Sequence, residues 1–205
     1  RQLYLCSPEY ITEYARRYVN LGARGVGGCC GTTPEHIREM ARAIKPMTKS
    51  HVVALRVDAE KTDAVPEMPL AERSRLGRKL AAKEWVTAVE MTPPRGWDTS
   101  QIVARARLCH DRGVDTVNIP DGPRASPRMS PLITAAIILR QADIEPVLHV
   151  CCRDRNYLGL QADLLGSAAA GIRNLLMVTG DPPKLGSYSF ASGVFDTDSI
   201  GLVSL

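Results

Sequence analysis

The sequence predicts an α/β protein built on parallel strands, and three observations carry that prediction. First, residues 21–30, 112–119 and 170–179 repeat one grammar: a helix end, a Gly, an apolar residue, an Asp or Arg, then a strand-like run. Glycine suits the left-handed residue that closes a helix, and the apolar run after it reads as a buried parallel strand. Second, strand starts in the later part of the chain recur about every 30 residues, the length of a βα unit with a helical crossover. That period fits either a (β/α)8 barrel or a doubly wound sheet. Third, no Gly-x-Gly-x-x-Gly follows any of these strands, which argues against the dinucleotide-binding form of the doubly wound fold. Four units cannot close a barrel, so the chain is expected to be a piece of a longer protein. Its opening Arg1-Gln2-Leu3, without Met or a signal pattern, and its closing apolar run agree with that expectation.

Each element has a local cause. Ser7-Pro8-Glu9 starts the first helix: Ser caps, Pro fits the first turn and Glu complements the positive helix end. Ile11, Tyr14, Tyr18 and Leu21 follow at helical spacing. A strand is expected at 25–29. Thr33-Pro34-Glu35 then caps a second helix with Ile37, Met40, Ala41 and Ile44 on one face. Residues 46–70, broken by Pro46, Pro66 and Pro69, read as a linker. Residues 73–83 form a basic helix, read as a solvated face with an anion-binding patch as the alternative. Strands are expected at 86–91, 114–119, 146–151 and 175–178, and helices at 100–110, 130–141 and 156–170.

Composition excludes other classes. The 205 residues are 44% hydrophobic and 23% charged, the balance of a soluble globular protein. A net charge of +4 is too mild for a nucleic-acid or membrane-surface protein. The longest apolar stretch, 132–139, is far short of a bilayer span. Six cysteines at 6, 29, 30, 109, 151 and 152 include two adjacent pairs, a poor disulfide framework, so a reducing cytoplasm is the expected compartment.

Sites on such folds lie at the carboxyl ends of the strands. Every exit here carries polar groups: residues 27–37, 90–96, 120–123, 149–152 and 179–183. Cys29 and Cys30 are candidate thiolate ligands for zinc, since flanking glycines let the backbone bend enough for both to reach one metal; core packing is the alternative. Cys6 stands before a helix cap and is not counted, which leaves a third ligand outside this chain.

Residues 27–37, reading GGCCGTTPEHI, resemble the closing motif of the homocysteine S-methyltransferase family, and residues 5–10 fit the same context. The resemblance implies that Cys29 and Cys30 belong to a three-cysteine zinc site, where the metal makes the thiolate of homocysteine available for attack on a methyl donor. Residues 89–96 (VEMTPPRG), 148–156 (LHVCCRDRN) and 178–183 (VTGDPP) are similar to 5,10-methylenetetrahydrofolate reductase, a flavin-dependent (β/α)8 barrel. Together they imply parts of two TIM barrels joined by a linker: the end of a methyltransferase barrel at 1–45, the linker at 46–70, and the first half of a reductase barrel at 71–205. This is the layout of bifunctional proteins that join the two activities, with the fragment alone expected to be inactive.

The resemblance also implies roles. Glu90 matches the general acid that opens the imidazolidine ring of methylenetetrahydrofolate, a task that calls for an apolar setting that raises its pKa. Asp181 matches the aspartate beside the flavin, where its charge would disfavour the anionic reduced form. His149, Thr179 and Gly180 match FAD-contacting positions, Gly180 by letting backbone approach the cofactor. Cys151 and Cys152 are read as core. Thr179 stands where some reductases have Arg, and Pro120-Asp121 where they have Thr-Tyr, so contacts to FAD or to the NAD(P)H donor are expected to differ, with Asp121 facing the flavin. The implied partners are small molecules, methylenetetrahydrofolate and homocysteine, with no nucleic acid or membrane; a homo-oligomer of the full-length protein is compatible. Two alternatives stay open: an active reductase with a decayed methyltransferase end, and a non-catalytic zinc- or anion-binding module using the 73–83 helix.

Overall fold

A computed structural model describes residues 6–29, 31–47 and 68–205. The chain divides into two compact units, Arg1–Ala64 and Val65–Leu205; most of the expected linker, 48–67, lies outside the described residues.

In the first unit, α1 (Pro8–Asn20) begins where Ser7 Oγ accepts from the Tyr10 N–H across 3.3 Å. Helix α2 (Pro34–Ile44) begins on a capping box in which His36 takes the place usually held by Glu: Nδ1 accepts from the Thr33 N–H at 3.2 Å, and the Thr33 hydroxyl lies 2.7 Å from the same nitrogen. An accepting Nδ1 places the ring proton on Nε2, which donates to the Cys6 carbonyl at 2.9 Å. Residues 25–29 are a correction. They form no strand, because a parallel strand is held by ladder neighbours and no described residue of this unit supplies one.

The second unit opens with two short helices, α3 (Leu70–Arg73) and α4 (Arg75–Ala81), separated by an extended Ser74 whose Oγ caps α4 through the Gly77 N–H at 2.8 Å. The expected single basic helix is therefore broken at a capping residue. A four-stranded parallel sheet follows in the order β1 (Ala88–Glu90), β2 (Thr116–Ile119), β3 (Glu145–Cys151) and β4 (Asn174–Val178). Helices α5 (Ser100–Asp111), α6 (Pro131–Ala142) and α7 (Tyr157–Ala169) make the crossovers, and α8 (Ser199–Val203) comes last. Strand β1 is shorter than expected.

Alternation along the strands sorts two faces. Val117, Ile119, Leu148, Val150 and Cys152 pack against Ile102, Ala106, Ala135, Ile138 and Leu160 of the helices. Each such side chain contributes about 1.5–3 kcal/mol by leaving water. Glu145 ties the amino end of the sheet to α4, accepting from the Arg75 and Leu76 N–H groups at 2.8 and 2.9 Å. Arg75 also pairs with Asp143, and Lys79 with Asp115 at 2.5 Å. Two cations of the basic segment thus serve internal carboxylates.

Candidate functional site

The opposite face of the sheet, away from the helices, carries the candidate chemistry. Glu90 ends β1 in register with Asn118 on β2, and His149 Nε2 on β3 lies 3.3 Å from Asn118 Oδ1. Strand alternation puts all three on this face, because their neighbours Met91, Val117, Ile119, Leu148 and Val150 belong to the core. Burial lowers the His149 pKa below its ordinary value, against the opposing pull of the Glu90 and Asp121 charges. His149 is thereby held towards its neutral form. Glu90 itself is exposed and lines a cavity of about 740 Å³ beside β1 with Pro93, Asp98, Gln101, Arg105 and Arg128. Apolar enclosure of this carboxyl, as expected of a proton donor, is absent among the described residues.

The exits of β2, β3 and β4 are bolted together by charge. Asp121 does not face open space as expected: its side chain is 7% exposed, and Oδ2 accepts from Arg155 Nη1 at 2.7 Å and from the Cys151 N–H at 3.0 Å. Arg155 continues to Asp163 on α7 at 2.7 Å. Arg153 is 4% exposed; it forks onto Asp154 at 2.8 and 2.6 Å and reaches the carbonyls of Gly122 at 3.3 Å and Asp181 at 3.4 Å.

Asp181 sits in this frame with one oxygen engaged, since Oδ2 accepts from the Arg124 N–H at 2.9 Å. That bond restrains a turn in which Gly122, Arg124 and Ala125 all have positive φ, a conformation costly for residues with a Cβ. Gly180 has φ +99°, and a Cβ there would collide with Cys151 Sγ. Its lack of a side chain is required by β3, whatever binds above it. Thr179 Oγ1 accepts from the Ser199 N–H at 3.0 Å, so it anchors α8. Cys151 and Cys152 are fully buried, and burial raises both thiol pKa values.

Asn118, Arg153 and Arg155 are functional candidates that sequence reading missed. Two of them stand in the Arg-Asp-Arg run directly after a buried strand, where solvation alone gives no reason for dense charge. In the first unit Cys29 is exposed and lines a cavity of about 260 Å³ with Cys6, Tyr10, Tyr14, Tyr18 and His36. Cys30 lies outside the described residues. Among the described residues no three His, Cys, Asp or Glu converge on a metal position, and His36 has both ring nitrogens engaged. The described residues of this unit therefore do not make a zinc site by themselves. The open sheet face does offer hydrogen-bonding groups at Asn118 and His149, which lie 3.3 Å from one another.

Comparison with known proteins places these features. Residues 75–200 match the family model for methylenetetrahydrofolate reductase, and residues 2–44 match that for homocysteine S-methyltransferase. S-methylmethionine–homocysteine S-methyltransferase of Rattus norvegicus is 53% identical over 36 residues, 18% of this chain and 10% of that protein. Betaine–homocysteine S-methyltransferase 1 of Rattus norvegicus and of Bos taurus is 53% identical over 36 residues, covering 18% of this chain and 9% of each relative. The chain thus spans about a tenth of the length of these curated relatives. Two enzyme-family segments stand in one chain, the methyltransferase segment first.

Proposed function

This chain belongs to the methylenetetrahydrofolate reductase family, and on that premise we propose that Val65–Leu205 is the first half of a (β/α)8 barrel that reduces 5,10-methylenetetrahydrofolate to 5-methyltetrahydrofolate with NAD(P)H. The observation that carries this reading is the placement of Glu90, Asn118 and His149 on one open sheet face at the strand exits. Bound FAD would supply the hydride to the folate. Enclosed by the bound ligands and the rest of the barrel, Glu90 would give its proton to the leaving nitrogen of the imidazolidine ring, opening it to the iminium that accepts hydride. Asn118 and the neutral His149 orient a ring edge above β2 and β3. Asp181, held by Arg124 and Arg153, fixes the position of a second ring.

The first unit is proposed to carry the closing segment of a methyltransferase, with Cys29 and Cys30 as two zinc ligands and the third thiolate from outside these residues. Homocysteine would be its methyl acceptor. A cytoplasmic setting suits thiols that must stay reduced.

An absorbance spectrum of the purified full-length protein tests the reductase reading. A flavin band that bleaches with reduced nicotinamide and returns with methylenetetrahydrofolate supports it, and Glu90→Gln should then lower turnover about 10²–10⁴-fold. A protein that takes up no FAD overturns it. Zinc content of the full-length protein tests the first unit separately: bound metal that disappears in Cys29→Ser/Cys30→Ser supports the methyltransferase site, and equal content in both proteins removes it.

A further inference from the structure

The rim of the reductase unit holds a cavity of about 630 Å³ that adjoins the Glu90 cavity and shares Arg128 with it. Its walls come from three strand exits: Arg95 and Trp97 after β1, residues 126–129 after β2, and Ser187 and Tyr188 after β4. These loops are tied to one another. Arg128 Nη1 donates to the Pro93 carbonyl at 2.9 Å, Met129 N–H to Pro94 at 2.9 Å, and Ser187 N–H to Ala125 at 3.4 Å. The walls are thus set before any ligand arrives, which lowers the entropic cost of binding.

The chemistry of the cavity is one-sided. Arg95 and Arg128 line it and, among the described residues, no Asp or Glu does. No described carboxylate forms an ion pair with either guanidinium. Arg128 Nε is buried and has no hydrogen-bond partner, unlike Arg153 and Arg155, which are paired at the neighbouring exits. An unpaired buried donor on an always-charged group calls for an acceptor, and an anion answers it best. Trp97, 90% exposed, adds an aromatic wall beside the charges.

We propose that this cavity binds an oxyanion, a carboxylate or phosphate, carried by a ligand of the reductase. The inference rests on the reductase reading, in which the FAD-loaded protein receives two further molecules with such groups: the folate through its glutamate carboxylates, and the nicotinamide dinucleotide through its diphosphate.

Calorimetric titration of the purified full-length protein, loaded with FAD, decides it. Tetrahydrofolate is compared with tetrahydropteroate, which lacks the glutamate, and NAD+ with nicotinamide mononucleotide, which lacks the diphosphate; the oxidised pair binds without reducing the flavin. The wild type should prefer the fuller member of one pair about tenfold, and that pair identifies the source of the oxyanion. Arg95→Gln and Arg128→Gln should abolish the preference, and Arg128→Lys should retain part of it. Arg95 lies in an exposed loop, so its variant reports even if Arg128→Gln does not fold. A preference that survives Arg95→Gln and Arg128→Lys undiminished, or is absent from both pairs, overturns the proposal. A wild type that binds neither pair fails the reductase reading instead. In that case pyrophosphate and triglutamate, titrated into the wild type and Arg95→Gln, decide the cavity: binding lost in the variant supports it, and no binding overturns it.

Discussion

Arg153 and Asp181 are joined through the backbone: the buried guanidinium donates to the Asp181 carbonyl across 3.4 Å while the Asp181 carboxylate restrains the Arg124 turn. One side chain of the β3 exit therefore sets the height of a β4-exit residue. Arg153→Met removes this tie and leaves the carbonyls of Gly122 and Asp181 unpaired. It is expected to destabilise the reductase unit by about 2–4 kcal/mol. Denaturant unfolding against wild type measures this, and a loss below about 0.5 kcal/mol would show that water replaces the guanidinium without cost.

Gly180 is fixed by two independent constraints, its left-handed backbone and the sulfur of Cys151. Gly180→Ala should cost about 2–4 kcal/mol, part from the conformation and part from the clash. Adding Cys151→Ala makes room for the new methyl group. The double variant should recover only the clash, so its coupling energy, read from a double-mutant cycle, separates the two costs. Additivity within error would mean that the sulfur is not the obstacle.

Asp115 joins the end of the α4 segment to the start of β2. The Lys79 ammonium, and after it the Thr87 N–H, hold its carboxyl down to about 2. The unfolded chain, with an ordinary carboxylate near 3.9, takes up this proton first on acidification. The stabilising contribution is therefore complete above about pH 5 and is lost as the pH falls towards 2. Asp115→Asn should unfold at a lower temperature than wild type at pH 7, and the gap should close between pH 5 and pH 2. A gap independent of pH would assign the effect to packing.

Much of the fold was legible locally. Ser7, Thr33 and Asn156 each stand at a helix start and cap it, except that Thr33 shares the task with His36. The second, third and fourth strands of the sheet fall within a residue or two of their expected limits, because unbroken apolar runs between a helix end and a polar exit leave few other conformations. Segment 25–29 shows where this reasoning stops. Its composition is that of a strand, but a ladder is a property of neighbours.

The candidate site divides in the same way. Sequence alone determined that Glu90, His149, Thr179, Gly180 and Asp181 lie at strand exits, since period and motif set their place along each strand. Only the tertiary structure decided what each one touches. It turned Asp121 inward onto Arg155, gave Thr179 to α8, pressed Gly180 against Cys151 and set Asn118 beside His149. Those outcomes depend on register between strands about 30 residues apart. Ion pairs and close contacts act over a few ångströms in space, and separation along the chain does not encode that distance.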